Sequence, residues 1–170
     1  MSNEWFADNP DVLLNLTEQT QWKTFAKAHR LSFSGRLIGG CIDTLIHFVM
    51  TEYCDLTTYA KRYQDDGVIL YIENAEMSPT AFCRALLGLK YRGVFELVQG
   101  VIIGRHGMLE NGGKDIDFEQ ALAMAFDGVD VPVVYDVDVS HLPPNLTLIN
   151  GAVAQVEIEA GQASLVQQLV

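Results

Sequence analysis

Three apolar runs in this sequence end in titratable side chains. "VILYIENAE" leads from Val68 into Glu73, Asn74 and Glu76. "VIIGRHG" leads from Val101 into Arg105 and His106, and "VPVVYDVDVSH" leads through Asp136 and Asp138 to His141. A carboxylate and an imidazole delivered to one place make a general base: the acid holds the ring in one tautomer and stabilises the imidazolium that forms. Glu73, His106 and His141 are the candidates for such work. His29, in a basic helix end, and His47, on a helix, read as structural. Asp136, Asp138 and His141 lack the closed spacing of a zinc motif. Carboxylates at alternate strand positions share a face without needing an ion, so no metal is expected.

What such a pair would activate is harder to find. There is no G-x-S-x-G elbow, and none of the serines at 2, 32, 34, 78, 140 and 164 stands between a buried strand and a helix in the required context. Cys41, just after Gly39-Gly40, is the one thiol near the start of an expected helix, a placement that lowers a thiol pKa. The residues alone give a catalytic pair without its nucleophile.

The elements that must hold these groups can be read from periodicity. Residues 1–30 read as a connecting segment with one or two short helices after Asn9-Pro10, and Trp5 and Trp22 are expected to cover a surface. An alternating strand at Leu31–Phe33 and a short Leu37–Ile38 run precede the Gly39-Gly40 pair. A helix with Ile42, Leu45, Ile46 and Val49 on its apolar stripe follows. The glycine pair is not a phosphate loop, and reads instead as close packing of strand on helix.

"SPTAFCRALLGLKYRG" has Ser78 as N-cap, Pro79 at the first helical position, Phe82, Leu86 and Leu89 on one face, and Gly93 beyond the end. Buried strands are expected at Val68–Ile72, Val101–Ile103 and from Val131, with "NGGKDID" a loop and "FEQALAMAF" a helix. Two short strands around the turn Asn150-Gly151 and a tail strand in "QASLVQQLV" complete the chain. The fold class is α/β, or α+β with a mixed sheet.

At 170 residues the chain fits one domain. Its net charge of −11 argues against nucleic acid and against an anionic membrane surface as partners. Cys41, Cys54 and Cys83 show no paired spacing and read as free thiols of a reducing compartment. The acidic start "MSNEWFADNPD" has no apolar signal core, and no window reaches the length of a membrane span, so a cytoplasmic protein is expected.

Taken in order, these segments resemble the C-terminal half of the S66 family of serine peptidases, the LD-carboxypeptidases and their microcin C immunity relatives. "GRLIGGCIDTL" is similar to the family's G-x-L-x-G-G-N-L, with Cys41 in place of Asn. "VILYIENAE" with "FCRALLGL" is similar to its I-L-F-L-E-D strand and following helix, and "FELVQGVIIGRHG" to V-x-G-I-V-I-G-R-F. "VPVVYDVDVSHLPPNLTLINGAVAQV" is similar to its G-H-containing ending, with Ser140 in place of the glycine before the histidine.

The resemblance implies a swivelling β/β/α domain, with residues 1–30 as an interdomain linker and 31–170 as the catalytic half-domain. It places the family's catalytic glutamate at Glu73 and its histidine at His141. Arg105 and Trp5 are assigned to substrate binding, although Trp5 and Trp22 serve interdomain packing equally well.

The resemblance also implies a Ser-Glu-His hydrolase acting on murein tetrapeptides or aminoacyl-nucleotide conjugates, without cofactor and often as a homodimer. Its nucleophilic serine belongs to an N-terminal domain that nothing here matches, so this chain alone is expected to be inactive. Two other readings stand beside it: a non-catalytic binding or assembly domain of the same fold, and a cysteine hydrolase pairing Cys41 with His141.

Overall fold

The structure, a computed structural model, describes residues 20–25, 30–106, 116–142, 144–159 and 161–169. The helices expected after Asn9-Pro10, Trp5 and His29 lie outside the described residues, as does most of the "NGGKDID" loop.

Seven strands form one mixed sheet: β1 (Lys23–Thr24), β2 (Arg30–Cys41), β3 (Val68–Glu73), β4 (Gly100–Gly104), β5 (Val133–Val137), β6 (Val153–Glu159) and β7 (Gln162–Gln168). Their order across the sheet is β1-β5-β4-β3-β2-β6-β7. The four central strands, β2 to β5, run parallel; β1, β6 and β7 add antiparallel edges. Strands β3 and β4 are buried along their whole length, which is why they read as unbroken apolar runs without alternation.

Two clusters of side chains separate the faces. On one face Val68, Leu70, Ile72, Val101, Ile103, Val133 and Tyr135 meet the helices α1 (Ile42–Phe48), α3 (Pro79–Tyr91) and α4 (Phe118–Phe126) through Ile42, Phe82, Leu86, Leu89, Phe118 and Leu122. On the other face Ile69, Tyr71, Ile102 and Val134 meet Ala154 and Val156 of β6, so that the curled sheet closes over its own side chains. Trp22 packs against this second cluster.

Local chemistry sets the helix ends. The Ser78 hydroxyl accepts from the Ala81 amide, Pro79 opens α3, and Gly93 beyond its end takes a left-handed φ of 75°. Asp117 and Gln120 form a reciprocal capping box at the start of α4.

Four readings need correction. The pieces at Leu31–Phe33 and Leu37–Ile38 belong to one twelve-residue strand, β2, which pairs with β6 through its first part and with β3 through its second. A helix not foreseen, α2 (Leu56–Arg62), is capped by Asp55. It is seven residues long and buries only Leu56, so it carries almost no periodic signal.

Asn150-Gly151 is a turn but joins no hairpin, because residues 145–149 have no regular structure. The hairpin is β6–β7, around Gly161 with its φ of 82°. Finally, Gly39 packs closely on a neighbouring strand and not on a helix: a Cβ there would run into the Tyr71 carbonyl.

Candidate active site

Because β2, β3, β4 and β5 are parallel, their carboxyl ends share one rim of the sheet. This is the edge at which open parallel sheets place ligands. The rim collects Cys41, Glu73, Arg105, His106 and the segment from Asp138 to His141. Nδ1 of His141 lies 2.9 Å from Oε2 of Glu73. The Glu73 side chain is 11% exposed while that of His141 is 62% exposed, so the acid is set into the rim and the imidazole stands out from it. An ionised carboxylate only accepts, so Nδ1 carries the proton and Nε2 is left as the basic nitrogen. Among the described residues Nε2 has no hydrogen-bond partner.

The approach of these two residues depends on a glycine. Gly104, at the end of β4, stands between β3 and the backbone leaving β5. A Cβ on it would strike the Val139 carbonyl and lie 3.2 Å from Cβ of Glu73. Only a residue without a side chain lets the chain pass over β4 and carry His141 towards Glu73.

The loop holding His141 is stitched on itself. The Leu146 amide donates to the Asp138 carbonyl (2.6 Å), the Ser140 amide to Asn145 Oδ1 (3.0 Å), and the Leu142 amide to Ser140 Oγ (2.9 Å). Ser140 is not among the described residues with positive φ, which are Met50 and Asp136 apart from glycines. A serine therefore fits where the resembled pattern has glycine, and its hydroxyl caps the turn. On the other side of the pair, Asn74 is fully buried and brackets the turn after Glu73: its amide group donates to the Met77 carbonyl and accepts from the Met77 amide.

Arg105 is 15% exposed, and its described contacts are internal. Nε lies 3.1 Å from Oδ1 of Asp138, and Nη2 donates to the carbonyls of Leu142 (3.2 Å) and Pro144 (2.6 Å). Oδ2 of Asp138 accepts from Thr20 Oγ1 (2.7 Å) and from the Trp22 indole N–H (3.1 Å).

Asp136 and Asp138 do not share a face as expected. Asp136 has φ 58°, the pairing with β4 slips beside it, and Val137 falls in the same cluster as Val134. Asp136 instead pairs with Lys23 of β1 at 3.1 Å. The left-handed residue was invisible in the alternation of "YDVDV" because a bulge inserts one position without changing residue types. Among the described residues no three His, Cys, Asp or Glu side chains converge as a metal site.

His106 is not part of the pair. Its ring stacks on Phe118 at 3.7 Å and meets the edge of Phe82, and burial pushes its pKa down to about 4. Cys41 lies in register with Glu73 on the adjacent strand, with Sγ 3.4 Å from Asp43 Oδ2. The helix start was expected to lower its pKa. Instead burial, reinforced by the neighbouring Glu73 carboxylate, raises the thiol to about 11, which disfavours the thiolate a cysteine nucleophile needs.

The parallel centre, with an acid and a histidine delivered to one rim, is the architecture of an α/β domain with a candidate general base at its carboxyl edge. The chain belongs to the LD-carboxypeptidase C-terminal domain family (peptidase family S66), whose sequence pattern matches residues 34–156. Among curated relatives it is 29% identical over 134 residues to the microcin C7 self-immunity protein MccF of Escherichia coli, a match covering 79% of this chain and 37% of that protein. Among solved structures it is similar to an active-site mutant of MccF in the apo state, with TM-score 0.69, 25% identity, and 89% of this chain and 42% of that chain covered. The muramoyltetrapeptide carboxypeptidase of Oxalobacter formigenes shares the fold, with TM-score 0.67, 22% identity, and 84% of this chain and 51% of that chain covered. The chain thus spans about half or less of the length of these proteins.

Proposed function

We propose that this chain supplies the glutamate and histidine of a Ser-Glu-His hydrolase, and that the serine comes from a second domain docked against the rim. His141 takes the serine proton at Nε2 as the oxygen attacks an amide carbonyl. It then returns that proton to the leaving amine, so both steps are balanced within the triad. Glu73 keeps the ring oriented and stabilises the imidazolium between the two steps. The single observation that carries the reading is the 2.9 Å contact between a recessed Glu73 and an exposed His141 with Nε2 unpartnered.

The names of the relatives support a substrate class for this proposal. The bond cleaved is an amide beside a free carboxylate or nucleotide group, in a murein tetrapeptide or a microcin-like peptidyl nucleotide. Arg105 and Trp5 were assigned to substrate contacts from the resemblance. The internal bonding of Arg105 favours a different role for it, that of bracing the loop around His141. The intact enzyme is proposed to act in the cytoplasm as a homodimer, which light scattering on the reconstituted protein tests. Among the described residues no helix is long and apolar enough to cross a membrane.

The test is reconstitution. This chain alone, offered an L,D-tetrapeptide or an aminoacyl nucleotide, is expected to show no turnover; paired with a serine-bearing domain from a relative it is expected to release the terminal residue. Turnover that survives both Glu73→Gln and His141→Ala would sink the proposal.

A further inference from the structure

Resting on the catalytic reading of His141, the geometry points to Arg105 as the residue that positions it, with Asp138 tying that position to Trp22. An imidazole with 62% of its side chain in solvent has little packing to hold it. Its place is set by the backbone on either side, and one guanidinium reaches both sides. Before His141, Arg105 Nε lies 3.1 Å from Asp138 Oδ1 in an ion pair whose angles fall short of a hydrogen bond, and the Arg105 amide donates to the Val137 carbonyl at 3.0 Å. After His141, Nη2 holds the carbonyls of Leu142 and Pro144. The planar guanidinium suits this because its spread charge faces the Asp138 carboxylate along the Nε edge while Nη2 donates to the two carbonyls. A lysine keeps the charge but is a single point that cannot span the carboxylate and both carbonyls.

The second half of the device is Asp138. Its two oxygens divide their partners: Oδ1 faces Arg105, while Oδ2 takes the Thr20 hydroxyl and the Trp22 indole N–H. Those two residues sit 118 and 116 positions earlier, in the segment that leads into β1. A displacement of that segment removes two donors from Asp138 and shifts the balance of the carboxylate that holds Arg105. His141 is thereby kept in register with Glu73 only while the segment around Trp22 is seated. In a two-domain hydrolase this couples the general base to the chain that joins the domains. Arg105 is a positioning residue in this account: it touches the histidine loop and not the reacting atoms.

The experiment uses the 170-residue chain with ¹⁵N-labelled histidine. The proton held between His141 Nδ1 and Glu73 gives a downfield imidazole N–H signal, identified by its loss in His141→Ala. Arg105→Lys is expected to broaden or abolish that signal while the melting temperature stays within a few degrees. Trp22→Phe, which removes the indole N–H together with part of the ring packed on the second cluster, is expected to weaken it less. Should Arg105→Lys fail to fold, the double variant Arg105→Met with Asp138→Leu replaces the ion pair by apolar side chains of similar size. That pair of changes keeps such sites packed, and the same loss of signal is expected. An unchanged signal in the folded Arg105 variant overturns the inference.

In the reconstituted hydrolase Arg105→Lys is expected to lower kcat about 100-fold with KM within about twofold, the cost of a misplacement on the order of 1 Å. A raised KM with kcat kept would make Arg105 a substrate-binding group instead and overturn the inference. If turnover survives Glu73→Gln and His141→Ala, the catalytic reading fails, and the imidazole signal still decides whether Arg105 positions the ring.

Discussion

The Glu73 carboxylate and the His141 imidazole lie 2.9 Å apart although 68 positions separate them in the chain. The contact joins the end of β3 to the loop after β5, two strands that are not neighbours in the sheet. It exists because β4 ends in a glycine between them.

Glu73→Gln is the sharpest test of that contact. The amide keeps the shape of the acid but presents a donor as well as an acceptor, so it no longer enforces the Nδ1–H tautomer and cannot stabilise an imidazolium. In a reconstituted hydrolase kcat is expected to fall roughly 10³- to 10⁴-fold with KM changed little, read by steady-state kinetics. A fall of less than about tenfold contradicts an orienting role.

Gly104→Ala tests how the loop reaches the rim. The added methyl meets a backbone carbonyl and not a flexible side-chain end, so the neighbouring chain must move as a unit. A loss of about 1–3 kcal/mol or more is expected. Urea unfolding measures it as a lower midpoint at unchanged slope.

Cys41→Ser separates a serine from a cysteine mechanism. With the thiol raised to about 11 by burial and the Glu73 carboxylate, alkylation by iodoacetamide is expected to be slow at pH 7.5 and to accelerate only near pH 10 and above. The serine variant of the reconstituted enzyme is expected to keep its turnover within a few-fold. Its loss would reinstate the thiol as nucleophile.

His106 makes stability depend on pH. Burial against Phe82 and Phe118 lowers its pKa from 6.5 to about 4, against a smaller opposing influence from Asp136. Between those values the unfolded chain binds a proton that the folded chain refuses. Stability from this group is therefore complete above about pH 6.5, falls as the pH drops towards 4, and levels off below that. The swing is roughly 3 kcal/mol. His106→Phe keeps an aromatic ring in the stack and is expected to remove that part of the pH dependence. Denaturant titrations at pH 7 and 4.5 on both proteins measure it; equal slopes with pH would contradict it.

Much of the rim was legible in residue order. Glu73 at the end of an apolar run, the capped helix after it and the Arg105–His106 end of β4 follow from patterns spanning a few residues. The ordered motifs "GRLIGG", "LYIENAE", "IIGR" and "DVSHLPP" pointed to the family before any contact was known. Harder to see were the features whose cause lies elsewhere in the chain. "LSFSGRLIGGC" looked like two pieces because a change of strand partner midway, from β6 to β3, leaves no mark on residue type. Asn150-Gly151 carried a hairpin signal, yet the residues before it found other partners, the Ile149 amide donating to Gln167 of β7.

The division has a physical basis. Helix caps, apolar periodicity and the polar ends of strands depend on interactions between residues a few positions apart, so "VILYIENAEMSPTAF" by itself specifies a buried strand that ends in a carboxylate and turns into a capped helix. Which histidine that carboxylate meets depends on the order of the strands and on the close passage over Gly104. Whether Arg105 contacts a substrate or braces a loop depends on where Asp138, Leu142 and Pro144 come to rest. The opposite outcomes for Cys41, expected activated and found suppressed, come from its place in the sheet: burial raises the thiol, and the alignment of β2 with β3 adds Glu73, a neighbour 32 positions away (73 − 41) that only the sheet brings beside it.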